Sequence, residues 1–115
     1  MKRVLLADDD DALRSALALL LQTRLGMTVI AEATSMETTL DAAHVEQPDL
    51  ILLDWELPGE PRFRRIEALR SAAPNARLVV ASARPEAATQ ALADRADAFV
   101  NKTDPPEIIL AVFGG

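Results

Sequence analysis

The amino-acid sequence predicts an α/β fold, in which five parallel strands form one doubly wound sheet with helices on both faces. Apolar runs of four to six residues alternate with amphipathic stretches of helical length along the 115 residues. The runs at 50–53 and 78–81 are apolar at every position, as expected for strands that helices cover on both sides. Five strand–helix repeats with short connections favour right-handed crossovers within a single sheet.

Local signals support the individual elements. We expect strands at 3–7, 28–33, 49–54, 77–82 and 97–101, and helices at 11–24, 36–46, 62–72, 86–94 and 105–113. In the first helix, leucines recur at helical spacing and form one apolar stripe, and Gly26 ends the helix. A Pro58-Gly59 turn follows the third strand, and Pro74 ends the third helix. Asp104 is predicted to cap the fifth helix, with a proline at its first position.

Composition excludes several classes of protein. The length suits one domain, and no apolar stretch reaches the roughly 18–20 residues that span a bilayer. The absence of cysteine excludes disulfides and thiolate metal sites, and it suits a cytoplasmic protein. A net charge of −6 argues against direct binding to nucleic acid. The only local basic cluster is interpreted as a solvated helix face, with a docking patch for an acidic partner as the alternative. Its members are Arg62, Arg64, Arg65 and Arg70.

Polar residues follow the apolar runs at four of the five predicted strands. They are the pair Asp8-Asp9, Asp54, Ser82 and Lys102. Because the carboxyl ends of parallel strands share one edge of a sheet, these side chains are expected to converge there. Carboxylates, a hydroxyl and an ammonium group together suit a divalent cation and a phosphoryl group.

Each of these side chains also has a plainer interpretation. Asp54 could be a nucleophile toward phosphorus, or it could cap a turn or helix. Asp8 and Asp9 could bind Mg²⁺, whereas acids before a helix can instead stabilise its positive dipole end, which is the role expected of Asp10 and Asp11. The joint placement of the set at matching strand ends favours the phosphoryl site.

Longer segments around these residues carry a family resemblance. They are Val4–Asp9, Pro48–Gly59, Ser82, Phe99 and Lys102. With them, the chain resembles the receiver domain of bacterial two-component response regulators over nearly its whole length. The resemblance implies a CheY-like, flavodoxin-type (βα)5 fold with strand order 2-1-3-4-5, and one receiver domain over 1–115 with a short last helix. Any output domain is expected to be absent from this sequence, either because it has been cut away or because the receiver stands alone. Residues 99–107 are also similar to transcription regulators of the LuxR/NarL type.

The resemblance implies a phosphorelay centred on Asp54. A sensor histidine kinase or phosphotransfer protein would donate a phosphoryl group to Asp54, and the domain would catalyse its own phosphorylation and dephosphorylation. Asp9, Asp54 and the backbone carbonyl of Glu56 would bind Mg²⁺ directly, and Asp8 would bind it through a water. Lys102 would hold the phosphoryl group.

The resemblance also implies a switch that reaches a protein surface. Ser82 would bind the phosphoryl group, and Phe99 would turn inward as Ser82 moves. This shift would alter the face formed by the fourth helix, fifth strand and fifth helix, where a homodimer could form. Neither nucleic acid nor membrane is expected as a partner of this domain.

Three positions depart from the family pattern. Thr103 replaces the proline that usually follows the lysine, so a cis bond there would cost about 2.5–4 kcal/mol, and a trans bond is expected to move Lys102. Arg95 stands where a glycine usually precedes the fifth strand, and it carries strain if its φ is positive. Arg62 lies where the third helix usually opens near a glycine.

A loop gate is our own hypothesis from two sequence positions. Glu56 follows Asp54 by two residues, and Arg84 follows Ser82 by two. The loops that carry them face each other in this fold, so we expect an ion pair that partly covers Asp54 and hinders attacking water. The alternative is two solvated charges that contribute little.

Two other functions compete with the phosphorylated switch. A receiver-like interaction module that is never phosphorylated would use the same fold for docking, but it would not need the complete set of acids, serine and lysine. A phosphohydrolase with an aspartate nucleophile commonly has a second aspartate two residues later, where this chain has Glu56. The chain also leaves little room for a substrate pocket.

Overall fold

A computed structural model describes residues 2–61 and 63–114, in which strands and helices alternate. The strands are β1 (Arg3–Ala7), β2 (Thr28–Ala33), β3 (Leu50–Asp54), β4 (Arg77–Ser82) and β5 (Ala98–Asn101). The helices are α1 (Asp11–Leu25), α2 (Met36–Glu46), α3 (Arg65–Ala72), α4 (Ala87–Ala93) and α5 (Pro106–Gly114).

The five strands form one parallel sheet in the order β2-β1-β3-β4-β5, so the predicted fold class and strand order are confirmed. Successive strands are added on one side of β1 and then on the other, so the strand order reverses between β1 and β3. Ligands bind at such a position in open α/β sheets. In the strand register, Ala7 pairs with Leu53 and Ser82 pairs with Asn101. The register therefore brings the carboxyl ends of these strands to one edge.

Two apolar cores cover the two faces of the sheet. Side chains of β1 alternate between them, because successive residues of a strand point to opposite faces. Leu5 packs with residues of α2, α3 and α4, whereas Leu6 packs with residues of α1 and α5. Both leucines are fully buried, as are Ile51 and Leu52 of β3. Because helices cover both faces, the polar residues lie at the edge that the carboxyl ends of the strands form.

The third helix begins later than the sequence predicted. It was expected at 62–72, but α3 begins at Arg65, and Arg62 lies outside the described residues. Arg64 has a left-handed conformation with φ +60° and lies directly before the helix. A residue in that conformation cannot continue a right-handed helix, so the helical run starts only after it.

The φ of Arg95 is positive, at +73°, so the condition for strain at this position is met. Its N–H donates to the carbonyl of Leu92, and the N–H of Ala96 donates to the carbonyl of Ala91. These two bonds form the Schellman ending of α4, in which the left-handed residue is usually glycine. An arginine therefore carries backbone strain at the start of the turn into β5.

The basic cluster is not a simple solvated face. Arg65 is buried, with 5 % of its surface exposed, and Arg70 is only partly exposed. The guanidinium of Arg70 donates to the carbonyls of Ala76 and Arg95 and to the carboxylate of Asp97. The solvated-face interpretation is therefore wrong for these two arginines, which bind loop carbonyls.

Candidate functional site

Three carboxylates meet at the carboxyl edge of the sheet. Oxygen atoms of Asp8, Asp9 and Asp54 all lie within 4.8 Å of one another. Asp54 is the last residue of β3, and Asp8 directly follows β1, so the register of these neighbouring strands brings them together. Asp8 and Asp54 are buried, whereas Asp9 is exposed to solvent. The cluster is thus open on one side.

Lys102 joins the two buried carboxylates. Its Nζ lies 2.6 Å from Asp8 Oδ2 and 3.2 Å from Asp54 Oδ1. The Lys102–Thr103 peptide bond is trans, yet Lys102 still enters the site, so the expected displacement is wrong. The side chain of Asn101 provides the physical reason, because its Oδ1 accepts hydrogen bonds from both the N–H and the hydroxyl of Thr103. This turn holds the loop without a proline.

The electrostatics of the site are dominated by burial. Burial raises the pKa of Asp54, and the hydrogen bond from the Glu56 N–H and the charge of Lys102 only partly oppose it. Burial would lower the pKa of Lys102, but its contacts with Asp8 and Asp54 outweigh this effect and raise it. One ammonium group therefore incompletely neutralises the buried carboxylates around it.

The three carboxylates fit a divalent cation. Asp8 Oδ2 is buried, and in the part of the chain that the structure describes Lys102 is its one close polar partner. Mg²⁺ is usually held by one or two protein carboxylates, with waters and phosphate oxygens completing its shell. The exposed side of the cluster, at Asp9, leaves room for those additional oxygens.

Two arginines that sequence reasoning did not assign to the site hold the loops that carry it. Arg14 donates to the backbone carbonyl of Asp8 at 2.7 Å, and Arg65 donates to the carbonyl of Trp55 at 3.1 Å. Arg65 also donates to the carbonyl of Gly59 at 3.3 Å. The one sequence signal for Arg65 is its spacing of four residues from the buried Leu69, which places both on the same stripe of α3.

Ser82 and the two predicted gate residues form a second cluster beside Asp54. The hydroxyl of Ser82 donates to Glu56 Oε1 at 2.6 Å, and its oxygen accepts the N–H of Arg84 at 3.0 Å. The guanidinium of Arg84 lies 3.4 Å from Glu56 Oε2. Together with Trp55 and Arg65, Glu56 and Arg84 line a shallow cavity of about 300 Å³.

Phe99 lies beside this cluster in the sheet. It pairs in register with Val80 of β4, two residues before Ser82. Its side chain is partly buried and packs against the core beneath α2, α3 and α4.

Asp10 and Asp11 lie at the start of α1, as the sequence predicted. The side chain of Asp10 accepts the N–H of Leu13, and Asp11 lies in the first turn of the helix.

Residues 4–113 match the family model described as the response regulator receiver domain. The chain belongs to this family. The match covers the acidic cluster, Ser82, Phe99 and Lys102, and thus confirms the family resemblance seen in the sequence. As a receiver domain, the chain has both the expected strand order and the expected residue types at the carboxyl edge of its sheet.

The receiver domain is also similar to individual regulators. It is 34% identical over 109 residues to the nitrate/nitrite response regulator protein NarL of Escherichia coli K12, covering 93% of this chain and 50% of that protein. It is 32% identical over 114 residues to a putative transcriptional regulator of Pseudomonas aeruginosa, covering 96% and 55%. The chain thus spans about half the length of these curated relatives.

Solved structures show the same architecture. The signal receiver domain of the putative response regulator NarL from Mycobacterium tuberculosis superposes with a TM-score of 0.81 at 29% identity, covering 97% of this chain and 93% of that one. A response regulator from Burkholderia pseudomallei, with a phosphorylated aspartic acid, a calcium ion and citrate, matches with a TM-score of 0.81 at 29% identity over 96% and 65%.

The described helices are too short or too polar to cross a bilayer.

Proposed function

We propose that this receiver domain is a phosphorylation switch in which Asp54 accepts a phosphoryl group. The observation that carries the proposal is the contact of Lys102 with both Asp8 and Asp54, inside a carboxylate cluster that also contains Asp9. The phosphorylated aspartic acid of the Burkholderia neighbour supports the same chemistry.

The donor is a phosphohistidine of a sensor kinase or phosphotransfer protein. A carboxylate oxygen of Asp54 attacks the phosphorus; its new P–O bond forms as the P–N bond breaks, and the electron pair stays on the histidine, which takes up a proton. Mg²⁺, held by Asp9, Asp54 and the Glu56 backbone carbonyl, with Asp8 acting through a water, would offset the negative charge of the incoming group.

The chain's own residues bind and orient the phosphoryl group. The ammonium group of Lys102 lies between two carboxylates. It can move from the carboxylate of Asp54 to a phosphoryl oxygen once the group is transferred. Ser82 supplies a hydroxyl donor from the neighbouring strand. Its movement lets Phe99 turn further into the core, which alters the surface of α4, β5 and α5. We propose that this surface contacts the output partner or a second copy of the chain.

The similarity to a putative transcriptional regulator of Pseudomonas aeruginosa supports a role in transcription regulation, in which the switch controls an output domain. We propose that this regulator acts in the cytoplasm. On this proposal the receiver domain itself touches neither nucleic acid nor membrane.

The decisive experiment is phosphorylation by a small donor. Wild type, Asp54→Asn and Asp41→Asn are incubated with Mg²⁺ and acetyl phosphate or phosphoramidate, and intact mass is measured. Asp41 is an exposed aspartate of α2 and serves as the matched control. We expect a metal-dependent gain of one phosphoryl group in wild type and Asp41→Asn, and none in Asp54→Asn. Equal gain in Asp54→Asn would contradict the assignment of the acceptor, and folded wild type that neither gains the group nor binds Mg²⁺ would favour the docking module.

We further propose that the ion pair between Glu56 and Arg84 slows hydrolysis of the phosphorylated form. The two groups lie 3.4 Å apart on the loops that follow β3 and β4, although the side chains of Glu56 and Arg84 are 38% and 59% exposed, so solvent screens their attraction. Replacing both by alanine is expected to shorten the phosphoryl lifetime, measured by mass after donor removal. Glu86→Ala, at an exposed position on the same loop as Arg84, is the control; an unchanged lifetime in the double variant rules the gate out.

A further inference from the structure

The hydroxyl of Ser82 is already engaged in the unphosphorylated protein. Ser82 is fully buried, and its Oγ donates to Glu56 Oε1 at 2.6 Å. The same Oγ accepts the N–H of Arg84 at 3.0 Å. The hydroxyl is thus fixed on both its donor and its acceptor side, and its proton points toward a carboxylate that is not the phosphoacceptor.

This arrangement creates a competition for one proton. A serine hydroxyl has a single O–H donor, so Ser82 cannot donate to a phosphoryl oxygen while it donates to Glu56. Hydrogen bonds to ionised acceptors are shorter and stronger than neutral ones, and the 2.6 Å distance lies in that short range. The bond to Glu56 must therefore break before Ser82 can serve the phosphorylated state.

We infer that Glu56 is a positioning residue that holds Ser82 in the inactive arrangement and thereby lowers the affinity of the site for a phosphoryl group. This inference rests on the proposed function of Asp54. Binding in two-state systems is weakened by whatever stabilises the state that does not bind, and the Ser82–Glu56 bond stabilises that state.

The two oxygens of the Glu56 carboxylate have separate roles in this device. Oε1 accepts from Ser82, and Oε2 contacts the guanidinium of Arg84. When the hydroxyl leaves for the phosphoryl group, Glu56 can keep Arg84 as its partner. The ion pair between Glu56 and Arg84 can thus persist after phosphorylation, whereas the hydrogen bond from Ser82 to Glu56 exists only before it.

The test is a double-mutant cycle on the affinity for beryllofluoride, a mimic of the phosphoryl group, at saturating Mg²⁺. The variants are Glu56→Ala, Ser82→Ala and the double substitution, with titrations followed by Trp55 fluorescence. If Glu56 acts through Ser82, Glu56→Ala tightens binding by about tenfold, the value of one hydrogen bond to a charged acceptor. In the Ser82→Ala background the same substitution leaves the affinity unchanged.

The cycle separates this device from simple charge repulsion. If Glu56→Ala tightens binding equally with and without Ser82, repulsion between the carboxylate and the anion explains the effect, and the inference is wrong. It is also wrong if Glu56→Ala binds like wild type. Glu86→Gln removes a nearby exposed charge and is expected to match wild type. If wild type binds Mg²⁺ but neither wild type nor any variant binds beryllofluoride, the proposed function itself fails, which is a distinct result.

Discussion

Individual charged side chains determine the shape of the loops around the acidic cluster. Arg14 and Arg65 each donate to backbone carbonyls of loops that follow strands, at Asp8 and Trp55 respectively. A guanidinium has five donors in a fixed plane, so one arginine can hold a carbonyl and a second acceptor at once. Arg14 also donates to the carboxylates of Glu32 and Asp11, and these hydrogen bonds raise its pKa. Such arginines hold the loops of the site in position, although neither has a role in the proposed phosphoryl transfer.

The backbone conformation of Arg95 has an energetic cost that a substitution can remove. Its φ of +73° places its Cβ in a conformation that only glycine adopts without cost. Arg95→Gly is therefore expected to raise the free energy of unfolding by about 1 kcal/mol, measured by urea denaturation. Arg95→Ala keeps the Cβ and is expected to stay within about 0.5 kcal/mol of wild type. Equal stabilisation by both substitutions would assign the effect to the arginine side chain and not to backbone strain.

Between elements, one carboxylate connects β5, β4 and α3 at the opposite end of the sheet from the acidic cluster. Asp97 Oδ2 accepts the N–H of Leu78 at 2.7 Å and lies 3.0 Å from the guanidinium of Arg70. Burial would raise the pKa of Asp97, but these two hydrogen bonds and the charges of Arg70 and Arg77 lower it. The ionised form of Asp97 thus stabilises the folded state.

Asp97→Asn is expected to lower the free energy of unfolding by about 1 kcal/mol near neutral pH, because the bonds to a charged acceptor are lost at a partly exposed position. The pKa of Asp97 is depressed on folding, so its contribution is complete above the ordinary carboxyl pKa and disappears as pH falls through the lower, folded value. Urea denaturation across that acidic range is the measurement, with Asp41→Asn as control. A difference that persists unchanged at the acidic end would contradict the ionic origin.

In the whole molecule, the two apolar cores stabilise the folded state, whereas the acidic cluster destabilises it. The cores bury both faces of the sheet and stabilise it, whereas the sheet edge brings Asp8, Asp9 and Asp54 together with one ammonium group among them. Burial raises the pKa of Asp54, so its ionised form opposes folding at neutral pH. A bound cation would remove this cost.

Mg²⁺ is therefore expected to stabilise the fold. At a free concentration about 100 times the dissociation constant, the free energy of unfolding should rise by about 2.7 kcal/mol in wild type. Asp9→Asn is expected to need more Mg²⁺ for the same gain, and Asp41→Asn is expected to behave as wild type. Thermal unfolding with and without a chelator is the measurement. The same Mg²⁺ dependence in Asp9→Asn and wild type would place the cation elsewhere.

The apolar pattern of the sequence predicted the α/β class and the residues that meet at the sheet edge, whereas the strand order was implied by the family resemblance. The pattern could do so because apolar periodicity defines strands and helices locally, and because parallel strands necessarily present their carboxyl ends on one side. The chemistry-bearing positions were therefore visible without any contact being known. The start of α3 was missed because a left-handed Arg64 is not a recognisable stop signal.

Only the tertiary structure decided how these groups are paired. Lys102 lies closer to Asp8 than to Asp54, and the Ser82 hydroxyl donates to Glu56 and not into the phosphoacceptor site. Arg65, which looks like a surface charge in the sequence, is buried against the carbonyls of a loop. Pairing of polar groups depends on distances of a few tenths of an ångström between residues far apart in the chain. Local sequence patterns contain no information on such distances, because they are set by how the two packed faces of the sheet place each loop.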